Sequence, residues 1–308
     1  MKCVIGVISS RGDGFESMKE TWMKNVERFN ASRQGNLVEL YFIEGEQRND
    51  TELYHVEELL PNIHLFRANC EETFKNILKK SILFFKHISE IDHKEEPKEL
   101  TFAIRSNLST LFDFEKLFKY LYEVNTALHI KEWEHFIGGS IIDKYCALQT
   151  FFSGTNLTFS MPAVKLLVQN YREIVKNTKD GDDIVMSAWL VNMCHKSLLM
   201  RDMRRLDFCK EVTFNSCDSF DNSLFCYRFK TDNRKEDAIL MSNCSKLLYT
   251  GLSVKEQFVD LYQKGLFKLE GYVNVKNRGY ENTFTKIFFL HVYFYRNTSV
   301  VYPEFILV

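Results

Sequence analysis

The stretch CVIGVI at residues 3–8 begins the pattern that decides the fold. It is short, continuously apolar and rich in β-branched residues, which predicts a strand buried on both faces of a sheet. The segment SSRGDG at 9–14 predicts a loop, and residues 15–29 then carry apolar side chains at helical spacing. The chain therefore opens with a buried strand, a polar loop and an amphipathic helix.

Predicted strands and helices alternate through the first half of the chain. After residue 29 the pattern predicts strands at 37–43, 100–104 and 136–139 and helices at 73–88 and 114–122. This alternation predicts the α/β class, with a doubly wound mixed sheet flanked by helices. Ligands bind such sheets at the carboxyl ends of the strands, so the loops at 9–14, 44–46 and 105–109 are expected to lie together.

The second half of the chain is predicted to add fewer strands. An apolar run closes on Ser160, and Pro162 opens a helix. Later segments are strands at 206–214 and 224–229, a helix at 234–249, a tail helix at 254–262 and an aromatic tail strand at 287–295. We therefore predict a main domain at 1–248 and a small appended subdomain at 249–308.

Composition excludes several classes of protein. The 308 residues are 45% hydrophobic and include 4 prolines, as expected of a folded globule. The net charge is -1, so no bulk positive field draws the chain to nucleic acid. No apolar run approaches the roughly 18 residues of a membrane span, and the opening residues lack the apolar region of a signal peptide. These features predict a soluble, cytoplasmic protein.

The cysteine pattern also indicates the cytoplasm. The chain has 8 of them, with no C-x-x-C pair and no spacing typical of zinc ligands. Scattered singly in apolar surroundings, they are predicted to be buried, reduced thiols.

The densest polar pattern lies at residues 151–190. A Ser-Gly-Thr turn at 153–155 precedes the apolar run, and Asp180, Asp182 and Asp183 open a later predicted helix. Carboxylates at a helix N-terminus complement the macrodipole and cap free N–H groups, so capping is one explanation of these acids. Their number exceeds what a cap needs, which makes a catalytic carboxylate the alternative.

The order of motifs resembles that of GT-A nucleotide-sugar glycosyltransferases, in particular the galactosyltransferase-type families. In those enzymes a Gly-containing turn is followed about a helix later by an acidic pair, one acid of which acts as base. The first strand, its loop and the segment KETW at 19–22 resemble their nucleotide-binding entry segment. The segment FCYRFK at 225–230 resembles the strand that returns to their active site. The resemblance spans roughly residues 3–245.

This resemblance implies a soluble transferase of the bacterial or large-virus type. Such an enzyme would move a sugar from a nucleoside diphosphate sugar, expected to be UDP-linked, to a glycan or protein-linked acceptor. It implies inversion, with Asp183 as base and Asp182 better placed as the helix cap. The sequence leaves open which of the two acids takes which role.

The resemblance also implies a donor site. Its residues are Ser9, Ser10, Arg11, Glu44, Arg105, Asn107, Ser109, Arg228 and Lys230. Where these families carry a metal-binding Asp-x-Asp motif, this chain has the neutral Asn107 and Ser109. Either Mn²⁺ or Mg²⁺ binds through another carboxylate such as Asp113, or Arg and Lys side chains offset the diphosphate charge. Further candidates for that charge are Arg201, Arg204 and Arg205.

Two glycine turns are predicted to border the donor sugar and acceptor. They comprise Gly138 and Gly139 in the first turn, and Ser153, Gly154 and Thr155 in the second. Glycine at such turns allows a bulky ligand to approach the backbone closely. In the families that this chain resembles, the second turn has this position.

Two other functions compete with a transferase. Loss of the metal-binding acids fits a non-catalytic carbohydrate- or nucleotide-binding relative. A nucleotidyltransferase is disfavoured, because the loop at 9–14 has two glycines and Arg11 but no Lys. The aromatic tail would suit a contact between two copies of the chain, so a homodimer is a further expectation.

Overall fold

The computed structural model describes residues 1–32, 35–92, 101–128, 135–139, 141–142, 151–174, 181–193, 197–200, 205–208, 225–230, 233–250 and 290–293. The predicted tail helix at 254–262 lies outside these residues, as do Asp180, Arg201 and Arg204. The predicted division at residue 248 therefore stays a prediction.

The strands are β1 (Lys2–Ile8), β2 (Leu37–Gly45), β3 (Tyr54–Leu60), β4 (Ile63–Ala68), β5 (Thr101–Asn107), β6 (Thr110–Phe112), β7 (Ile137–Gly138), β8 (Ile141–Ile142), β9 (Phe151–Phe152), β10 (Leu157–Ser160), β11 (Ser197–Met200), β12 (Arg205–Phe208), β13 (Cys226–Phe229) and β14 (Leu290–Tyr293). The helices are α1 (Asp13–Ala31), α2 (Ile77–Asp92), α3 (Phe114–Leu128), α4 (Met161–Gln169), α5 (Tyr171–Ile174), α6 (Asp182–Met193) and α7 (Arg234–Leu247), with a 3₁₀ turn at Phe74–Asn76.

Among the described residues, seven strands form the main sheet in the order β3-β4-β2-β1-β5-β10-β7. β1 pairs in parallel with β2 and β5, and β2 pairs in parallel with β4. β3 and β10 run antiparallel to their neighbours. The predicted α/β class and mixed sheet are confirmed. The strand order runs outward from β1 in both directions, which makes β1 and β5 the switch point where such sheets open a crevice.

Three strands of the main sheet differ most from the pattern-based prediction, and outside it β6, β8, β9 and β11 are also not predicted. β3 and β4 are not predicted, because β3 is an edge strand with exposed polar side chains and lacks clean apolar alternation. β5 extends three residues beyond the predicted end, through Arg105 and Asn107, which the sequence analysis places in a loop. Their backbones pair with Gly6 and Ile8 of β1, so the polar side chains stand on a central strand.

The core lies on both faces of the sheet. Helix α1 packs on one face through Met18, Trp22 and Val26, all fully buried, as the helical spacing predicts. The Trp22 indole also donates a hydrogen bond to the Leu108 carbonyl at 3.0 Å, so its one polar atom has a partner within the core. Helix α2 packs on the other face so closely that a Cβ at Gly6 would lie 2.4 Å from the Phe84 ring.

Smaller sheets accompany the main one. β13 lies between β12, to which it is parallel, and β6, to which it is antiparallel. Arg228 of β13 is opposite Thr110 of β6. The following residue, Phe229, contacts Ser109 in the turn between β5 and β6. β8 pairs with β9, and β14 of the tail pairs with β11.

The described cysteines match the sequence prediction. Cys3, Cys70, Cys226 and Cys244 are buried free thiols. Burial raises the pKa of the Cys244 thiol to about 12, which keeps it protonated and unreactive at neutral pH. Within the part of the chain that the structure describes, no helix has the length and apolar character needed to cross a membrane.

His87 of α2 makes the stability of this fold sensitive to pH. Its ring lies 5.3 Å from Tyr54 and 5.7 Å from Phe66, and its Nε2 is buried without a hydrogen-bond partner. Burial lowers the pKa of His87 below its ordinary value of 6.5, so the folded state binds fewer protons than the unfolded state. Stability is therefore fully present above the unfolded pKa and decreases as pH falls below it.

We expect the melting temperature of the wild type to fall more than that of His87→Phe between about pH 7.5 and pH 5.5. The Phe ring fills the same aromatic environment and cannot be protonated. Thermal melts followed by circular dichroism measure this difference. Equal pH dependence in the two proteins would show that His87 is protonated as easily in the fold as outside it.

Candidate functional site

The predicted site residues gather at the carboxyl edge of the main sheet. Ile8 at the end of β1 pairs with Ile43 of β2 on one side and with Asn107 of β5 on the other. Neighbouring strands lie about 4.8 Å apart, so the ends of β2 and β5 are roughly 10 Å from each other across β1. Ser9 follows β1, as the sequence predicts, whereas Glu44 lies within β2, which continues to Gly45 beyond the predicted end at residue 43.

The first cluster surrounds Glu44 on the α1 face. The Glu44 carboxylate is 2% exposed and accepts hydrogen bonds from Ser9 Oγ at 3.3 Å and from Lys19 Nζ. Arg11 Nε lies 3.4 Å from the other Glu44 oxygen, and Arg11 Nη2 is 3.0 Å from Glu46. These two acids raise the pKa of Arg11, with Glu46 the larger influence. The structure thus brings Ser9, Arg11 and Glu44 together.

Arg11 is the accessible member of this cluster. Its side chain is 59% exposed, whereas Lys19 is 9% exposed and shared between Glu16 and Glu44. Ser10 joins this cluster through its backbone carbonyl, which accepts a hydrogen bond from Ser9 Oγ at 3.4 Å. A ligand arriving from solvent therefore meets the Arg11 guanidinium first.

The second cluster surrounds Arg105 on the α2 face. Its guanidinium forms a bidentate pair with Asp182, with Nε to Oδ2 at 2.9 Å and Nη2 to Oδ1 at 2.8 Å. Both side chains are 4% exposed. Ser81 of α2 donates a further hydrogen bond to Asp182 at 2.7 Å. Asp182 is therefore neutralised by Arg105, which differs from the capping role that the sequence predicts for it.

Gly154 links Arg105 to Asp183. Arg105 Nη1 donates to the Gly154 carbonyl and, at 2.7 Å, to Asn107 Oδ1. The Gly154 N–H donates to Asp183 Oδ2 at 2.8 Å, and the Ile184 N–H donates to Oδ1 at 3.0 Å. Asp183 is half-buried, so it is less enclosed than the buried Asp182. One residue, Gly154, thus joins the arginine on β5 to the acid at the start of α6 through its C=O and its N–H.

The turn at 153–155 is rigid and largely closed. The Ser153 and Thr155 hydroxyls lie 3.0 Å apart and are both buried, and the Thr155 carbonyl accepts a hydrogen bond from Ser106. Gly139 has a φ of 149° and packs against the Asn156 carbonyl. Gly138 is in β7, opposite Thr158 of β10. The second glycine turn therefore contacts Asp183 through the backbone of Gly154, whereas Gly138 and Gly139 pack against β10 and the residue before it.

The remaining predicted residues fall at the switch point. The Ser109 carbonyl accepts a hydrogen bond from the Phe229 N–H at 2.8 Å. This contact places Arg228 and the exposed Lys230 beside the turn between β5 and β6. The backbone of Arg205 is in β12, the neighbour of β13.

Asp113, the alternative metal ligand, has a structural position. It precedes α3, where its Oδ1 accepts the Lys116 N–H at 3.2 Å, and its other oxygen pairs with the Lys116 ammonium. Burial raises the pKa of Asp113 despite these contacts. Among the described residues no group of three or more His, Cys, Asp or Glu side chains is arranged to hold a metal ion. The carboxylates of the described residues therefore do not form a donor set that fits Mn²⁺ or Mg²⁺.

Sequence patterns missed several residues of these clusters. Lys19 and Ser81 lie inside helices that were recognised by their apolar spacing. No feature of the neighbouring sequence indicates that they are the hydrogen-bond partners of Glu44 and Asp182. Glu72 accepts the Gly45 N–H and pairs with Lys80, which is fully buried. A surface cavity of about 260 Å³ lies elsewhere, between α1 and α3, and none of the predicted site residues line it.

Gly154 has no room for a side chain. A Cβ there would lie 2.2 Å from Arg105 Nη1 and 3.0 Å from Asp183 Oδ2. We expect Gly154→Ala to separate the arginine from the acid and to lower the free energy of unfolding by about 1–3 kcal/mol, as overpacking does. Urea denaturation measures the loss.

Gly181→Ala is the matched control, because its Cβ would meet only the far end of the Asp183 side chain, at 2.9 Å. We expect a smaller loss there, since that end can rotate. Equal stability of Gly154→Ala and wild type would contradict the close packing of this turn.

No protein-family model matches the sequence, and the comparison with curated proteins also finds no match. The fold and the site thus define the class: an α/β protein with a mixed, mostly parallel sheet and a polar site at the carboxyl edge of that sheet.

Proposed function

We propose that this protein is a glycosyltransferase that uses a nucleoside diphosphate sugar, with UDP as the expected nucleotide, and that Asp183 is its general base. The observation that carries the proposal is the Gly154–Asp183 hydrogen bond of 2.8 Å. It orients a half-buried carboxylate at the switch-point edge, where doubly wound sheets bind ligands. The GT-A-like motif order gives that carboxylate its role.

Burial separates the roles of the two acids. Asp182 is 4% exposed and its charge is matched by Arg105, so it has no face open to an acceptor. Asp183 is bound by neutral backbone N–H groups, which orient it without cancelling its charge. A base must reach the proton it removes, so the less buried acid, Asp183, is the better candidate.

The proposed reaction is a single displacement with inversion. The acceptor hydroxyl oxygen forms a bond to C1 of the donor sugar, its proton passes to an Asp183 oxygen, and the bond from C1 to the diphosphate breaks. The diphosphate leaves with the bonding electron pair. Residues that hold the acceptor within hydrogen-bond distance of Asp183 would make the reaction effectively intramolecular.

Positive side chains must offset the charge of the leaving diphosphate. Arg105 is committed to Asp182, so it does not supply this charge. Arg11, Arg228 and Lys230 border the same edge, from the loop after β1 and from β13. Guanidinium groups bind phosphate in a bidentate manner, which suits Arg11 at the site entrance.

Calorimetric titration with UDP, GDP and dTDP, each in EDTA and again with Mn²⁺, tests the proposal. We expect UDP to bind in EDTA, because the described residues lack a carboxylate set for a metal. Binding that needs Mn²⁺ would place the missing ligand among other residues. Failure of all three nucleotides to bind in either condition would overturn the proposed donor site.

A non-catalytic binding relative is the second candidate. The neutral residues at the Asp-x-Asp position favour it, since loss of those acids removes the usual metal from the leaving group. Such a protein would bind UDP without consuming UDP-sugars. Measuring release of UDP from UDP-glucose and UDP-galactose, with and without acceptor sugars, separates the two candidates.

A further inference from the structure

Strand β3 forms one edge of the main sheet. In the described part of the chain it pairs with β4 alone. Two of the exposed large apolar side chains flank it, Leu53 at 50% and Leu59 at 37% exposure. An edge strand presents unpaired backbone N–H and C=O groups, which can pair with a strand of another chain.

The hydrogen-bond pattern shows which residues of β3 face outward. The Asn69 N–H donates to the Leu53 carbonyl at 2.9 Å, so the backbone carbonyl of Leu53 points towards β4. Hydrogen bonding alternates along an antiparallel ladder, so the backbone N–H and C=O groups of His55 and Glu57 also point towards β4. Tyr54 and Val56 therefore direct their backbone N–H and C=O groups away from the sheet, as does Glu58.

The sequence of this edge, LYHVEEL at 53–59, is complementary to itself about Val56. Suppose that two copies pair antiparallel across a two-fold axis at Val56. Each residue then faces the residue of the other copy that lies equally far from Val56 on its opposite side. Leu53 then faces Leu59, and Tyr54 faces Glu58. His55 faces Glu57, and Val56 faces itself. Each outward backbone group meets another outward group in this register.

Charged side chains on an edge strand usually oppose such pairing. Here Glu57 faces an imidazole that can donate a hydrogen bond, and Arg67 pairs with the same carboxylate at 2.6 Å within each chain. Glu58 faces a tyrosine. The register irregularity between Glu58 and Leu60 lies beyond the central residues. The axis at Val56 thus places no two carboxylates directly opposite each other.

From the apolar, charge and backbone complementarity of this edge, we propose that the protein forms a homodimer through antiparallel pairing of its β3 strands. The two main sheets then continue as one. The partner of this surface is a second copy of the chain. Because the pairing is antiparallel, the carboxyl edges of the two sheets face opposite directions, and each candidate site is complete within its own chain.

Charge exchange tests the register. His55→Glu places carboxylates opposite Glu57 at two symmetric positions, and we expect the dimer dissociation constant to rise about tenfold. The double variant H55E/E57H restores opposite partners across the axis and is expected to recover the wild-type constant. Sedimentation equilibrium on the full chain measures all three.

A proline variant tests the backbone pairing. The Val56 N–H points outward, so Val56→Pro removes an intermolecular hydrogen bond and leaves the ladder to β4 intact. We expect it to be monomeric and to melt as a folded protein by circular dichroism. Ile239→Lys, at an equally exposed apolar site on α7, is the control and is expected to dimerise normally.

A monomeric wild type would overturn the proposal. So would a dimer that His55→Glu and Val56→Pro leave unchanged, because that dimer would use another surface. Unfolding of Val56→Pro would leave the charge exchange to decide. UDP binding is expected to be the same in all variants, so failure of this proposal is distinguishable from failure of the donor site.

Discussion

Replacing Arg105 by Leu is expected to lower the free energy of unfolding by about 3–5 kcal/mol, because it leaves the buried Asp182 carboxylate without its counter-ion. Both side chains of the pair are 4% exposed, so water cannot take the place of the guanidinium. The substitution also removes the donor to Gly154 and Asn107. Guanidinium chloride denaturation gives the loss directly.

Two further variants show that the loss arises from burial. Lys24→Ala breaks an ion pair whose members are 72% and 62% exposed, and we expect it to change stability by less than about 0.5 kcal/mol. The double variant Arg105→Leu with Asp182→Leu removes both charges. It is expected to be more stable than either single variant, because an apolar pair leaves no uncompensated charge. A small effect of Arg105→Leu alone would show that Asp182 reaches solvent.

Asp183→Asn is expected to lower the transfer rate by about 10²–10⁴-fold, the usual contribution of a general base. The amide retains an oxygen that accepts the Gly154 N–H, so the turn keeps its position, while the amide NH₂ group gives up the hydrogen bond from the Ile184 N–H. It cannot take up the acceptor proton. Nucleotide binding by calorimetry is expected to be unchanged, and the rate of UDP release from a UDP-sugar with acceptor measures the loss.

Glu236→Gln is the control for a carboxylate in the first turn of a helix. Glu236 occupies that position in α7 and accepts a hydrogen bond from Asn233, away from Arg105 and Gly154. We expect full activity from it. Full activity of Asp183→Asn would remove the proposed base. Loss of folding in that variant would instead show that the carboxylate has a structural role.

Local patterns predicted most of the main elements. Continuous apolar runs predicted β1 and β2, and apolar spacing predicted α1, α2 and α3, because burial of one face requires that spacing. The patterns did not predict β3, since an edge strand is stabilised by backbone pairing with a neighbour and needs no apolar alternation of its own. They did not predict β4 either, because His64 and Arg67 interrupt its apolar run. Arg105 was not predicted to be a strand residue, because a charged side chain ends an apolar run. In the fold its hydrogen-bond partners are distant in the chain.

The candidate site was predicted in outline only. Asp182 and Asp183 were identified as a pair, and Ser9 with Glu44 as neighbours, since strand ends in an α/β sheet converge on one edge. The predicted capping role of Asp182 differs from its position in the fold. Lys19 and Ser81 were not foreseen, because a buried polar residue within a helix looks like any solvent-facing position until its partner is known.

The sequence by itself determined the α/β class, the order of the main elements and the near-neutral charge, because these depend on local periodicity and composition. Tertiary structure decided which charges are free. Arg105 and Asp182 are 77 residues apart in the chain and meet only when β5, α2 and α6 pack together. The pairing with Arg105 then neutralises the buried Asp182, and Asp183 stays half-buried. Solvent exposure and ion pairing are properties of the packed chain, so no local pattern contains them.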